Sequence, residues 1–241
     1  MTPNPYNPAK NDNNTPLLTV IIPCYNESRT LPRLLEKVIS VNLSKEIIFV
    51  DDGSTDNSME IANSFKQKAE LITIGNENNS GKGAAVRKGI EKARGNYIII
   101  QDADLEYDPE DYKPIIREFE GGADVVYGSR ILKKGNPRGG FFFWLGGITI
   151  SAITSILYGA RITDEPTCYK AFRREVIKDI PFKGTSFDWE PEVTAKILKA
   201  GYKIREVPIS YNPRSVKEGK KINWKDGIKA VWTLIKYRFV S

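Results

Sequence analysis

Apolar residues fall into two alternating patterns along the first half of the chain. Short continuous runs occur at 17–23 (LLTVIIP), 46–50 (EIIFV), 70–75 (ELITIG), 96–100 (NYIII) and 123–129 (ADVVYGS). They are rich in β-branched residues, and most end on polar ones. Between them, apolar residues return every three or four positions, as Leu31, Leu34, Leu35 and Val38 do. That is the helical period. Strands buried on both faces read as continuous apolar runs. The alternation therefore predicts an α/β fold, with a mainly parallel sheet and helices on both faces.

Punctuation refines the helices. Ser54 is placed to N-cap the second, with Asp56 in its first turn. The third runs from about Gly83 and closes with Gly95 as its C-cap. A fourth spans 109–120, with Asp108 serving its start. Beyond Arg130 the alternation weakens. A glycine-rich link, KKGNPRGG, leads into residues 141–160, which carry no charge. That segment is about the length of a membrane span, although its Gly, Ser and Thr content argues for a core helix or an interfacial one. CYKAFRREVI reads as a short strand running into a helix, WEPEVTAKILKAGY as a helix capped near Gly201, and KIREVPISY as a strand. The last segment is an amphipathic helix with Trp224, Ile228, Val231, Trp232 and Ile235 on one side. No internal repeat is visible. The Asn- and Pro-rich residues 1–16 predict a disordered tail with no apolar leader. Residues 17–241 then form one domain, divided functionally at about Arg130.

Composition narrows the chemistry. The 241 residues include no histidine and two cysteines, Cys24 and Cys168, in unrelated contexts. Histidine-based catalytic pairs and zinc sites are excluded, and no disulfide framework is implied. A net charge of +6, with basic residues concentrated late in the chain, favours phosphates or an anionic surface as partners.

Polar residues gather where the predicted strands end: Tyr25, Asn26 and Glu27; Asp51 and Asp52; Asp102 and Asp104; Ser129 and Arg130. Open α/β sheets bind their ligands at that edge. On an extended chain Asp102, Asp104 and Glu106 point the same way. Converging carboxylates suit Mg²⁺ or Mn²⁺, which prefer carboxylates together with substrate phosphates. Asp51 and Asp52 are placed to accept hydrogen bonds from a ribose or a base. Gly81-Lys82-Gly83 is not a nucleotide-triphosphate loop: five residues separate Gly75 from Gly81, and no Ser or Thr follows the lysine. It still brings Lys82 near the strand ends. Arg130, Arg214, Lys220 and Lys221 are candidates for clamping phosphates, whereas Lys217 reads as a solvated surface charge.

The order VIIPCYNE, FVDDGSTD, SGKGAAVRKG, QDADLEYDP, YGSR, TCYKAFRREV, WEPEVTAKI and PRSVKEGKKINW resembles the family 2 glycosyltransferases. Within them it is most similar to the dolichol-phosphate mannose synthase group. The resemblance implies a GT-A fold and inverting transfer of a hexose from a nucleotide sugar to a polyprenyl phosphate. GDP-mannose is the first choice of donor and UDP-glucose the second. It also implies roles. Pro23, Tyr25, Glu27, Val50 and Asp52 would surround the base and ribose, with Asp52 reading the base. Asp102 and Ala103 would lie on the ribose and diphosphate side. Asp104 and Glu106, with Asp102, would hold Mg²⁺ or Mn²⁺. Lys82, Arg130, Arg214 and Lys220 would meet phosphates. Asp104, Arg130 and Asp164 would carry catalysis, with Glu190 a second acid on the acceptor side. The partners implied are the nucleotide sugar, the polyprenyl phosphate, a membrane surface and a possible membrane subunit, but no nucleic acid. The expected location is the cytoplasmic face of a membrane, peripheral or monotopic, held by residues 141–160, the terminal helix and the basic residues. The alternatives are a glycan acceptor, nucleotidyl transfer, or a subunit that binds nucleotide sugars without catalysis. Nucleotidyl transfer would want a basic glycine-rich loop where PCYNESRT stands.

Overall fold

The computed structural model describes residues 15–214 and 224–240. Most of the predicted tail, and Lys217, Lys220 and Lys221, lie outside the described residues. The first half alternates as expected: β1 (Leu18–Cys24), α1 (Leu31–Ser40), β2 (Lys45–Asp51), α2 (Ser58–Ser64), β3 (Leu71–Gly75), α3 (Lys82–Lys92) and β4 (Tyr97–Ile100). A 3-10 turn (Pro109–Asp111) then leads into α4 (Tyr112–Glu120) and β5 (Val125–Ser129). The second half adds α5 (Phe141–Tyr158), β6 (Lys170–Arg173), α6 (Arg174–Lys178), α7 (Trp189–Lys199), β7 (Ile204–Pro208) and α8 (Trp224–Phe239).

The seven strands form one sheet in the order β3-β2-β1-β4-β6-β5-β7. All pairings are parallel except those of β6, which runs antiparallel to both β4 and β5. Every residue of β1 and β4 is buried, so both faces of the sheet centre are covered. The reversal of β6 positions the site. The parallel strands all end at one edge, and β6 begins there, so the segment 162–169 crosses that edge beside the ends of β4 and β5.

Two predicted caps fall elsewhere. Helix α2 begins at Ser58, four residues beyond Ser54. Ser54 instead folds back on the end of β2, with its backbone N–H donating to Asp51 Oδ2 at 3.2 Å. Asp56 accepts from the Ser58 N–H at 3.0 Å, so the helix start is organised around Asp56. Helix α3 ends at Lys92, with Ala93 as its cap. Gly95 serves a close approach: a Cβ there would stand 2.6 Å from the backbone N of Thr19. The contact belongs to a buried polar knot at the edge remote from the site. Fully buried Glu46 accepts from Thr19 Oγ1 at 2.6 Å and from Arg94 N and Nε at 2.7 and 2.9 Å. Burial alone would raise its pKa, but these hydrogen bonds hold it below the ordinary value.

The second half carries a smaller core in which α5, α7 and α8 pack on one another. Polar contacts fix α5 to the domain. Ser151 Oγ accepts from the Glu165 N–H at 2.9 Å, Ser155 Oγ accepts from the Ile162 N–H at 3.1 Å, and Tyr158 OH donates to Leu234 O at 2.7 Å. Helix α8 turns Thr233, Leu234 and Tyr237 inward. Of its predicted apolar side, only Val231 packs on that core. Trp224, Ile228, Trp232 and Ile235 stay exposed, as do Phe141, Phe142 and Ile156 of α5. Helix α5 is the one helix among the described residues long and apolar enough to cross a membrane, and little of it is buried.

The Gly95 contact gives a test of the fold. Gly95→Ala drives a methyl group into the backbone of β1 and should lower unfolding free energy by about 2 kcal/mol or more, the usual scale of overpacking. Urea denaturation measures it. An unchanged midpoint would mean that β1 yields at Thr19.

Candidate active site

The segments that follow the parallel strands build the site. After β1, Asn26 takes a left-handed conformation, with φ 54°, which asparagine tolerates better than most residues. Its side-chain oxygen accepts from the Thr55 N–H at 2.8 Å, and its own N–H donates to Ser54 Oγ at 2.9 Å. The β1 and β2 loops are thereby locked together. Pro23, Tyr25, Glu27, Asp52, Lys82, Asp102, Ala103, Asp104, Glu106 and Arg214 line one cleft of about 240 Å³. Val50 does not join them: it is fully buried in β2, where a strand inside the sheet must place it.

The acids after β4 do not stand bare. Lys82 Nζ lies 2.8 Å from Asp102 Oδ1 and 2.8 Å from Glu190 Oε1. Burial alone would lower the pKa of this ammonium, but the two carboxylates hold it well above the ordinary value. Arg214 serves the remaining acids. Its guanidinium donates to Asp104 Oδ2 at 2.6 Å and to Glu27 Oε2 at 3.1 Å, and its backbone N–H donates to Glu106 Oε1 at 2.8 Å. Burial and the Asp102 charge push the Asp104 carboxyl up to about 7, against the pull of Arg214. Asp104 also accepts from the Glu106 N–H at 2.9 Å, which curls the chain. The extended, convergent row expected of Asp102, Asp104 and Glu106 is thus divided. Asp102 turns to Lys82, while Asp104 and Glu106 share Arg214. Among the described residues no three acids converge on one point.

Asp104 and Glu106 nevertheless fit a hard divalent ion. They are oxygen donors at the mouth of the cleft, and a cation already sits between them. Arg214 Nε is buried there without a hydrogen-bond partner, so the guanidinium fills the place imperfectly. Mg²⁺ is characteristically held by one or two carboxylates plus phosphates.

A second cavity of about 530 Å³ adjoins the first, and Phe187 lines both. Arg130, Asp164 and Glu190 lie in its wall with Lys133, Arg138, Phe142, Trp144, Tyr211 and Trp224. Arg130 and Asp164 make a forked pair: Nε to Oδ2 at 2.8 Å and one terminal nitrogen to Oδ1 at 2.6 Å, with the Arg130 N–H also donating to Oδ2 at 2.8 Å. Burial alone would lower the guanidinium's pKa, but Asp164 and nearby phenols hold it well above the ordinary value. Asp164 is 2% exposed, and its carboxylate accepts three hydrogen bonds from Arg130. The acid expected near the reacting centre is thus held in an ion pair with Arg130. Glu190 is likewise engaged, by Lys82.

The sequence expectations missed several parts of this wall. Lys133 and Arg138 stood in what read only as a glycine-rich link, and a more careful signal was their charge beside a run of aromatics. Nothing in the local sequence paired Lys170 with Glu165. Lys170 is fully buried, with Nζ 3.7 Å from Glu165 Oε1, donating to Thr167 O at 3.2 Å and lying over the Tyr127 ring at 4.3 Å. That pair ties the loop carrying Asp164 to β6.

Comparison with known proteins identifies the family and the fold. Residues 19–181 match the profile of the Glycosyl transferase family 2. A dolichol-phosphate mannosyltransferase of Pyrococcus furiosus is 29% identical over 215 residues, 84% of this chain and 58% of the relative. A dolichyl-phosphate beta-glucosyltransferase of Trichomonas vaginalis is 28% identical over 238 residues, 91% of this chain and 72% of the relative. The chain thus spans under two thirds of the first relative's length. Among solved structures, glucosyl-3-phosphoglycerate synthase of Mycobacterium tuberculosis, in complex with Mg²⁺ and uridine diphosphate, superposes with a TM-score of 0.70 at 18% identity. The alignment covers 94% of this chain and 80% of that one, which establishes the GT-A type of α/β fold. Because the family profile runs unbroken from β1 past β6, across the loops that bear Asp52, Asp104 and Asp164, the chain belongs to glycosyl transferase family 2.

Proposed function

We propose that this protein transfers a hexose, with inversion, from a nucleotide sugar to a polyprenyl phosphate at a membrane surface. One observation carries the reading: a polar cleft rich in paired charges opens into a larger cavity that joins basic side chains to aromatic ones. The first suits a nucleotide diphosphate. The second suits an acceptor with an anionic head and an apolar tail, since Arg130, Lys133 and Arg138 share its wall with Phe142, Trp144 and Trp224. The exposed faces of α5 and α8 extend the apolar surface outward, and Lys225, Lys229, Lys236 and Arg238 accompany it on α8. That combination suits an interfacial anchor on an anionic membrane. The Ser151 and Ser155 contacts of α5 support a monotopic arrangement over a span, since crossing the bilayer would break them. The location assigned is the cytoplasmic face, where nucleotide sugars are available.

The chemistry follows from charge. An oxygen of the acceptor phosphate attacks the anomeric carbon while the bond from that carbon to the diphosphate oxygen breaks, and the nucleoside diphosphate leaves. The attacking phosphate is already ionised at neutral pH, so no general base is needed and the absence of histidine is no obstacle. Arg130, aimed by Asp164, faces the acceptor phosphate. Lys82 pairs with Asp102 and holds it in place toward the ribose side, and the same ammonium secures Glu190. Asp104 and Glu106 would hold Mg²⁺ or Mn²⁺, whose contribution is to neutralise the leaving diphosphate. Arg214 is then available to a phosphate oxygen.

The direct test is a panel of radiolabelled donors, including GDP-mannose and UDP-glucose, supplied with polyprenyl phosphate in vesicles, followed by organic extraction. A labelled lipid phosphate is expected, and transfer confined to water-soluble acceptors would refute the lipid acceptor. In the same assay Asp104→Ala should abolish metal-dependent turnover while leaving the circular dichroism spectrum unchanged. Full activity in that variant would remove Asp104 from the metal site.

A pH dependence follows from Asp104. Its carboxyl must lose its proton to bind metal, and in the folded protein it titrates near 7 rather than at the ordinary 3.8. About one carboxyl in eleven is then ionised at pH 6 and about ten in eleven at pH 8. Mn²⁺ binding, followed by electron paramagnetic resonance, should weaken about tenfold from pH 8 to pH 6. Equal affinity at both values would show that another group controls binding.

A further inference from the structure

A single guanidinium answers three carboxylates at the mouth of the cleft. Arg214 Nη2 donates to Asp104 Oδ2 at 2.6 Å, Nη1 donates to Glu27 Oε2 at 3.1 Å, and Nε lies 3.8 Å from Glu106 Oε1. The acids come from the segments after β1 and β4. Two of them, Asp104 and Glu106, are the carboxylates that fit a divalent ion. The arginine satisfies them incompletely, because its Nε is buried without a hydrogen-bond partner, which is unfavourable.

The backbone that carries Arg214 is fixed independently of its side chain. The Arg214 N–H donates to Glu106 Oε1 at 2.8 Å, the Asn212 N–H donates to Glu106 O at 2.8 Å, and Tyr211 forms a β-bridge with Tyr107. The side chain lines the cleft, so the guanidinium can leave the acids by rotation about its own bonds.

We infer that Arg214 is a resident competitor of the metal: a divalent cation gains Asp104 and Glu106 only as the guanidinium gives them up. An ion of charge +2 on Asp104 would otherwise share that carboxylate with a second cation, and like charges a few ångströms apart in a partly buried site repel strongly. Metal affinity is then lowered by the small fraction of molecules in which the arginine has withdrawn. A diphosphate offers the guanidinium another anion, raises that fraction, and so promotes metal entry. This exchange rests on the nucleotide-sugar reading and adds an order of binding to it: metal alone binds weakly, and metal with diphosphate binds well.

Titration of the full chain with Mn²⁺ at pH 8, without nucleotide and followed by electron paramagnetic resonance, tests it. Arg214→Ala should bind Mn²⁺ about tenfold or more tightly than the wild type. Loss of the arginine also favours a proton on Asp104, but a divalent ion gains about twice as much as a proton from removing the same positive neighbour, so the sign is kept. Without metal the variant should melt at a lower temperature than the wild type, and Mn²⁺ should raise its melting temperature further than it raises that of the wild type. If Arg214→Ala fails to fold, Arg214→Lys decides: its ammonium cannot span three acids, and it should also bind Mn²⁺ more tightly than the wild type, by a smaller factor. With saturating UDP or GDP the advantage of either variant should vanish or reverse. No advantage without nucleotide, or one that persists undiminished with it, would overturn the competition and leave the transferase reading standing. A wild type that binds Mn²⁺ neither alone nor with UDP or GDP would overturn both.

Discussion

The site depends on charge compensation where β4 ends. A central strand delivers Asp102 and Asp104 to the edge of a buried sheet, where two like charges destabilise the fold unless something neutralises them. Lys82 meets Asp102 from α3, and Arg214 meets Asp104 from the segment after β7. Each cation joins parts of the chain far apart in sequence. Lys82 also reaches Glu190 on α7, and Arg214 reaches Glu27 after β1. The same contacts that neutralise the acids thus close the cleft, binding the first half of the domain to the second.

The antiparallel strand completes that arrangement. With β6 reversed between β4 and β5, the loop before it lies along the strand ends rather than beneath them. Asp164 can then fork onto Arg130 at the end of β5, and the buried Lys170–Glu165 pair holds the loop to the strand. Helix α5 is attached to this loop through Ser151 and Glu165, so the helix with the exposed phenylalanines is one hydrogen bond from the segment that orients Arg130.

Much of this was legible in the sequence, because it follows from local rules. Continuous apolar runs in alternation with helical spacing identified the sheet, and the polar residues ending those runs identified its active edge. Ten of the predicted residues do share one cleft. What local rules miss is partnership. The resemblance already set Asp102 toward the nucleotide and Asp104 and Glu106 toward a metal, but nothing local gave Lys82 and Arg214, from distant segments, as their ion-pair partners. The partner of Asp164 was not legible, because Arg130 lies 34 residues earlier in the chain. Ser54 and Gly95 carried the right residue types for caps, but tertiary contacts to Asp51 and Thr19 claimed them first. The apolar side of α8 was read correctly as a stripe, whereas its exposure depends on the opposite side packing against α5 and α7.

The central claim is that the Asp104 end of the cleft receives a divalent cation together with the donor diphosphate. Crystals grown with Mn²⁺ and a nucleoside diphosphate, measured for anomalous scattering at the manganese edge, test it most directly. One strong peak is expected within coordination distance of an Asp104 carboxylate oxygen, beside the diphosphate. A peak bound through Asp102 alone, or a diphosphate held by Arg214 and Lys82 with no manganese beside Asp104, would contradict it.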